Sequence, residues 1–236
     1  MLISSILFLY GVPAIKFEAM VSNSALTVLH DSRQSTVNIR QCTCKEMNDG
    51  FEEAKEQAFE CLMDPCFEEV KKMGLVQNTD VIRECFRQKK EFMNNLLLCF
   101  QNNIKACTPP GKQEKQVPSA DLNLLIDRAE EVITQQLAVF LKTINASDIQ
   151  KVGDAAKAVG RCVKLCFVND KNKNGFRFDR IGCMPYITDR NARRSVRQCS
   201  RAINWKKEIS EMCTCSAHAG IGTLANYCGI FTLMGR

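Results

Sequence analysis

The chain has 236 residues, a formal net charge of +6 at pH 7 and 45% hydrophobic residues. This composition is close to that of ordinary globular domains, so it excludes a chain that is disordered or of low complexity over most of its length. The sequence also contains 14 cysteines, a number that proteins of reducing compartments rarely carry. They are spread from Cys42 to Cys228 instead of clustering in metal-binding knuckles, which predicts a disulfide framework in an oxidising compartment.

The N-terminus fits secretion, and residues 1–19 are predicted to be a signal peptide. The run from Leu2 to Ile15 carries no charge and is too short to span a bilayer. The small residues Ala14 and Ala19 suit a cleavage site, whereas a buried N-terminal helix of a cytosolic protein is the alternative. Residues 20–41 are rich in polar side chains without helical periodicity, so we expect a loose leader there.

Residues 42–107 are predicted to form the first cysteine-rich helical unit. Apolar side chains recur every three or four residues in its first part, which predicts a helix that begins near Asn48 or Asp49 and ends at Asp64-Pro65. Glutamates in the first turn suit the positive end of the helix dipole.

A long amphipathic helix is predicted from its capping residue Thr79 to Ile104. Cys85 and Cys99 both lie on its inward face, and at 1.5 Å per residue they are about 21 Å apart. They are too far apart to bond each other, so each is expected to bond a different neighbouring helix. Helices linked sideways in this way form a bundle.

Residues 108–118 are predicted to be a linker, because three prolines and one glycine interrupt any apolar periodicity. The second unit, residues 119–236, is expected to begin with a helix capped by Ser119 and to end with a long helix capped near Thr188 or Asp189. No strand alternation competes with these helices. The predicted fold is therefore an all-α, disulfide-stapled helical bundle.

The two cysteine-rich units align with each other when Cys61 is placed on Cys162, which brings Cys99 close to Cys199. This alignment favours two related helical units, and the chance coincidence of helices that share one period is the alternative. Each unit holds seven cysteines, so at least one bridge crosses between the units or each unit keeps a free thiol. Four cysteines outside the alignment are expected to bond among themselves: Cys42, Cys44, Cys215 and Cys228.

All 14 cysteines are predicted to form disulfides. The remaining ten are Cys61, Cys66, Cys85, Cys99, Cys107, Cys162, Cys166, Cys183, Cys199 and Cys213. The spacing of the cysteines does not determine how they pair.

The chain carries a Cys-x(3,4)-Cys-Phe element twice, ending at Cys66-Phe67 and at Cys166-Phe167, and cysteine-bearing amphipathic helices follow. This pattern resembles the chondroitin proteoglycan 4 domain of nematode secreted proteins, over residues 42–107 and 150–215. The resemblance implies a protein of the extracellular matrix or egg coat. Proteoglycans attach their chains at serines followed by glycine, and the sequence has no Ser-Gly dipeptide, so glycosaminoglycan attachment is not expected.

Two stretches resemble metal-binding motifs. Cys213, Cys215 and His218 have the spacing of zinc ligands, but oxidation of both cysteines removes the thiolates that zinc requires. Residues 170–175 open like an EF-hand calcium loop, but Ile181 stands where the bidentate glutamate belongs. We therefore expect neither a metal nor a cofactor.

The sequence carries neither a catalytic signature nor a membrane span. No serine has the Gly-x-Ser-x-Gly context, no His-Glu-x-x-His motif is present, and with two histidines the usual general bases are scarce. No later stretch reaches eighteen consecutive apolar residues. We expect a protein that is not an enzyme.

One modification site is predicted. Asn145-Ala-Ser is an N-glycosylation sequon at a turn between two predicted helices, where an oligosaccharide has room. In a secreted chain we expect Asn145 to carry a glycan. A helix-end asparagine without a glycan is the alternative.

Charge is divided unevenly between the two units. Thirteen basic and three acidic residues lie between Arg161 and Lys207, whereas nine acidic and four basic residues lie between Lys45 and Lys72. Four arginines of the second unit recur every three or four residues and share one helix face: Arg190, Arg194, Arg197 and Arg201.

This arginine face is expected to bind an anion, either a sulfated glycan, a lipid headgroup or an acidic protein. Docking onto the acidic first unit and a merely solvated face are the alternatives. Nucleic acid is not expected, because aromatic residues are not interleaved with the basic ones.

The chain is predicted to be a secreted, disulfide-rich interaction or structural protein. An extracellular carrier of lipids or small ligands is the alternative, since disulfide-linked helices can enclose an apolar cavity.

Overall fold

The computed structural model describes residues 14–143, 149–202 and 204–233. Its α-helices are α1 (Ala14–Ser32), α2 (Cys44–Cys61), α3 (Glu68–Lys72), α4 (Thr79–Gln88), α5 (Lys90–Ile104), α6 (Leu122–Thr143), α7 (Gln150–Leu165), α8 (Arg177–Ile181), α9 (Asp189–Ala202), α10 (Trp205–His218) and α11 (Ala225–Leu233). Its strands are β1 (Arg33–Gln41), β2 (Gln116–Ala120) and β3 (Cys183–Met184). The predicted helical, disulfide-stapled fold is confirmed, with a small sheet in addition.

The three strands form a sheet in the order β2-β1-β3. β1 pairs antiparallel with β2, where Ile39 lies opposite Val117, and parallel with β3, where Arg40 lies opposite Cys183. The strands come from three distant parts of the chain, so their pairing depends on tertiary contacts. The expectation of no strands is therefore wrong.

The expectation of a loose leader over residues 20–41 is also wrong, because α1 and β1 occupy these residues. Leu26 and Val28 are buried where α1 packs against α6 and α9. The polar residues of this segment had suggested disorder, but its apolar side chains are covered by helices from the second unit. Residues 1–13, most of the predicted signal peptide, lie outside the described residues.

The predicted linker ends inside the sheet. Residues 116–118 belong to β2, and Val117 is buried. Pro118 is tolerated there because β2 is an edge strand and a missing amide donor costs least at an edge. The following helix begins later than expected: the Oδ1 atom of Asp121, not Ser119, accepts a hydrogen bond from the amide of Leu124 (3.0 Å).

Helix α2 begins earlier than predicted. Thr43 is its cap, because the Thr43 hydroxyl accepts from the amide of Glu46 and the Glu46 carboxylate accepts from the amide of Thr43. Asn48 and Asp49 lie inside the helix. A π-helical turn, Leu62–Cys66, carries the chain past Pro65, and a similar turn, Cys166–Lys171, follows α7.

The long helix predicted from Thr79 is interrupted at Lys89 and becomes α4 and α5. Asn78 is its cap, since its side chain accepts from the amide of Asp80 (2.8 Å). The last long helix is also divided, into α9 and α10. The Thr188 hydroxyl accepts from the amide of Asn191 (3.3 Å), which confirms the cap expected near Thr188.

Seven disulfides use all 14 cysteines. They are Cys42–Cys183, Cys44–Cys107, Cys61–Cys166, Cys66–Cys162, Cys85–Cys215, Cys99–Cys199 and Cys213–Cys228. Five of them cross between residues 42–107 and residues 119–236, so the two predicted units are cross-linked to each other. As expected, Cys85 and Cys99 bond different helices, α10 and α9.

The expectation that the four leftover cysteines bond among themselves is wrong, because each bonds a cysteine outside that group. Two aligned positions, Cys99 and Cys199, bond each other directly. The ancestry of the two units stays a prediction.

One apolar core surrounds the two disulfides that join α2 and its turn to α7 and its turn. Phe67 is fully buried there, and its ring packs edge-on against Phe86 with centroids 4.9 Å apart. Ile82 and Val163 complete the cluster from α4 and α7. The disulfides therefore lie inside the apolar core and hold together the helices that form it. No helix in the described part of the chain is long and apolar enough to cross a membrane.

Candidate functional site

Helix α9 carries the predicted arginine face, and its other face is firmly attached to the molecule. Ala192, Ser195, Val196 and Cys199 are buried. The helix packs against α5 and α1, and the disulfide from Cys199 to Cys99 fixes it to α5. The direction of the outer face is therefore set by the core.

The outer face carries the four predicted arginines, and all four are exposed. Arg190, Arg194 and Arg197 have no acidic side chain within salt-bridge distance in the described residues. Arg201 is also exposed, but it does have an interaction partner. From Arg190 to Arg201 the row extends about 16 Å along the helix axis at 1.5 Å per residue.

The N-terminal end of α9 is anchored by an ionic cluster. The Oδ2 atom of Asp189 lies 3.0 Å from Nε2 of His30, and its Oδ1 atom lies 3.5 Å from Nη1 of Arg33. His30, with a smaller contribution from Arg33, lowers the pKa of Asp189 below its ordinary value. Arg193, on the side of the helix nearest α1, donates to the side-chain oxygen of Asn23 (3.1 Å). These contacts use the charges beside the arginine face and do not involve Arg190, Arg194 or Arg197.

Other basic residues of the second unit pair with acidic residues of the first. Lys171 Nζ lies 2.6 Å from Oε2 of Glu60. Arg177 Nη1 and Arg180 Nη2 lie 2.9 and 2.6 Å from the two oxygens of Glu53. The acidic residues of α2 are thus paired with basic residues outside the arginine face, and no docking of Arg190, Arg194 or Arg197 onto α2 is seen in the described part of the chain.

The pKa of Glu53 reflects this pairing. Partial burial disfavours its ionised form, but the hydrogen bonds from Arg177 and Arg180 outweigh the burial and lower the pKa. The carboxylate is therefore charged and shared by two guanidinium groups.

Neither metal-binding hypothesis has the free ligands that it requires. Cys213 and Cys215 are both in disulfides, so neither offers a thiolate beside His218. In the calcium-like loop, Asn172 is buried, and its amide nitrogen donates to Gln57 and to the carbonyl of Phe167, both at 2.8 Å. No group of three or more potential metal-binding side chains occurs among the described residues. Asn145 lies outside the described residues.

An apolar cavity between α2, α6 and α7 is a second feature, and the sequence did not locate it. Its signal is faint: Ala54, Ala58, Ala156 and Gly160 are small residues on the facing sides of α2 and α7. Small residues at such positions also occur in close helix packing, so the pattern predicts no cavity by itself.

Comparison with known proteins found no matching protein family, no similar curated protein and no similar solved structure. The resemblance to the chondroitin proteoglycan 4 domain therefore stays a prediction.

Proposed function

We propose that this chain is a secreted, disulfide-stabilised interaction protein that binds an anionic glycan through the arginine face of α9. The observation that carries the proposal is three exposed arginines, Arg190, Arg194 and Arg197, with no carboxylate partner among the described residues, on a helix fixed by the Cys99–Cys199 disulfide. Guanidinium groups form paired hydrogen bonds to sulfate and carboxylate groups. Because α9 is held by the core, little backbone conformational freedom is lost on binding.

The disulfides support an extracellular location. All 14 cysteines are oxidised in pairs, and such frameworks persist in oxidising compartments. The resemblance to a domain of matrix proteins agrees with a glycan ligand. The proposal includes no catalytic step.

Heparin affinity chromatography tests the proposal. The variant with Arg194→Ala and Arg197→Ala is expected to elute from heparin at clearly lower salt than the wild-type protein. Loss of two anion contacts also lowers the slope of log affinity against log salt by about two, as for other polyanions.

A matched control separates a local site from net charge. Lys45→Ala with Arg87→Ala removes the same two charges from exposed residues that are already paired, with Asp49 and Glu84. This control is expected to elute close to the wild-type protein. Equal shifts for both double variants, or no shift for the α9 variant, would reject the proposed site.

A further inference from the structure

The apolar cavity lies away from the arginine face. Helix α6 packs against α1 and α7, and α2 packs against α7 and α8, so α6 and α2 face each other across a gap. The gap has a volume of about 280 Å³. This is close to the lower limit of small-molecule sites, about 300 Å³.

The walls of the cavity are apolar and incompletely covered. Leu125, Ile126 and Ile133 of α6 line one side, and Phe51 of α2 lines another. All four side chains are only half-buried, so each keeps apolar surface that a ligand can cover. Binding of an apolar ligand is favoured, because the ligand covers this surface and removes it from water.

The wall contributed by α7 contains Gly160. A Cβ atom built at this position meets no other atom within 4 Å. The space beside α7 is therefore open, and a larger side chain at position 160 has room to extend into the cavity.

The charged residues at the cavity are mostly basic: four of six. The two acids, Glu53 and Glu130, are already paired with Arg177 and Lys164. Arg161 lines the cavity, is exposed and has no acidic partner in the described part of the chain. In addition, the buried Nε atom of Arg177 donates to no acceptor within the described residues. The cavity thus combines an apolar interior with one cationic side chain, Arg161, that has no acidic partner among the described residues.

The geometry points to a binding site for a single-chain amphiphile with a carboxylate head, that is, a fatty acid of about ten carbons. The alkyl chain occupies the space between α2, α6 and α7, and the carboxylate pairs with Arg161 at the rim. A short chain is inferred because the volume, about 280 Å³, lies near the lower limit of small-molecule sites. The site is independent of glycan binding by α9.

Calorimetric titration of the oxidised full chain tests the site with three ten-carbon probes: decanoate, 1-decanol and decyltrimethylammonium. Decanoate is expected to bind about tenfold more tightly than 1-decanol, because the pair with Arg161 contributes a charge-assisted hydrogen bond. The cationic probe is expected to bind most weakly. Absence of decanoate binding, or equal affinity for the anionic and cationic probes, would overturn the inference.

Two glycine variants locate the alkyl chain. Gly160→Leu fills the cavity and also improves helix propensity, so the variant is expected to fold. Its affinity for decanoate and for 1-decanol is expected to be at least tenfold lower than that of the wild-type protein. Gly229→Leu is the matched control, since Gly229 also lies in a helix with open space at its Cβ position. It is expected to leave both affinities unchanged. Wild-type affinity in Gly160→Leu would place the ligand elsewhere and contradict the inference.

Arg161→Ala tests the head group. It is expected to reduce decanoate affinity about tenfold, to the level of 1-decanol, and to leave 1-decanol unchanged. The variant with Arg194→Ala and Arg197→Ala is expected to bind decanoate like the wild-type protein, which separates this site from the arginine face. An unchanged affinity of Arg161→Ala for decanoate would refute the assigned orientation and with it the inference.

Discussion

Helix α2 and helix α9 carry opposite charges and use them in opposite ways. Most carboxylates of α2 are paired within the fold, and Glu53 pairs with both Arg177 and Arg180. The guanidinium groups of Arg194 and Arg197 on α9 have no such partner within the described residues. Both segments appear in the sequence simply as charge runs. The comparison shows that the net charge of a segment does not tell whether its charges serve the fold or remain free for a ligand.

The difference has an energetic consequence. Each partly exposed ion pair on α2 contributes at most about 1 kcal/mol to stability, but several act together. An exposed arginine without a partner contributes almost nothing, so its replacement changes stability by less than about 0.5 kcal/mol. Substitutions on α2 should therefore affect stability, whereas substitutions on α9 should affect binding.

The largest expected effect concerns the two disulfides that join α2 and its turn to α7. Replacing Cys61, Cys66, Cys162 and Cys166 together by alanine should cost about 5 kcal/mol, because the unfolded chain regains the conformational freedom that the two bridges restrict. Removing either bridge alone should cost only about 2 kcal/mol, since the other still joins the same segments. Guanidinium denaturation of the three variants measures this. If the variant that lacks both bridges were as stable as the variants that lack only one, this prediction would be wrong.

A smaller effect is expected at the cap of α2. The side chain of Arg40 donates to both oxygens of Glu46 (2.8 and 2.7 Å), and these bonds, with help from Thr43, lower the pKa of Glu46 to about 2. Because the folded-state pKa lies below the unfolded one, the stabilisation is complete above the ordinary pKa of glutamate and is lost as the pH falls towards 2.

The variant Glu46→Gln measures this contribution. At pH 7 the wild-type protein should be more stable than Glu46→Gln by about 1 kcal/mol, because the pair is partly exposed. The difference should disappear between pH 5 and pH 2. A difference that is independent of pH would show that the charge of Glu46 is not the cause.

An effect of similar size is expected at Glu53. Glu53→Ala should lower the free energy of unfolding by about 1 kcal/mol, because two arginines lose the carboxylate that they share. Glu56→Ala is the matched control, since Glu56 is exposed on the same helix and has no ionic partner in the described part of the chain. It should change the free energy by less than about 0.5 kcal/mol. If Glu53→Ala and Glu56→Ala lowered stability equally in thermal or denaturant unfolding, the proposed difference between paired and unpaired carboxylates would be wrong.

Local periodicity was sufficient to predict the features that depend on one helix at a time. The inward positions of Cys85 and Cys99 and the common face of the arginines follow from 3.6 residues per turn, and the cap at Thr188 follows from the preference of helix N-termini for side chains that accept a backbone hydrogen bond. Each of these features involves residues within a few turns of one another, so tertiary structure does not alter them.

Features that depend on distant parts of the chain were not predictable in this way. β1 has its partners at residues 116–120 and 183–184, and the interruption at Lys89 places that side chain 2.7 Å from Glu208 of α10. The disulfide pairing could not be predicted for the same reason: the spacing of the cysteines shows which of them face inward but not which helix lies opposite. The cavity depends on the separation of α2 and α6, which no single segment encodes.

The comparison between the two helices is tested most directly by heparin binding of two arginine variants of equal charge. Arg194→Ala with Arg197→Ala removes unpaired charges on α9, and Arg177→Ala with Arg180→Ala removes charges that Glu53 already holds. We predict that the α9 variant elutes at clearly lower salt while the other elutes like the wild-type protein. Equal elution of the two variants would contradict it.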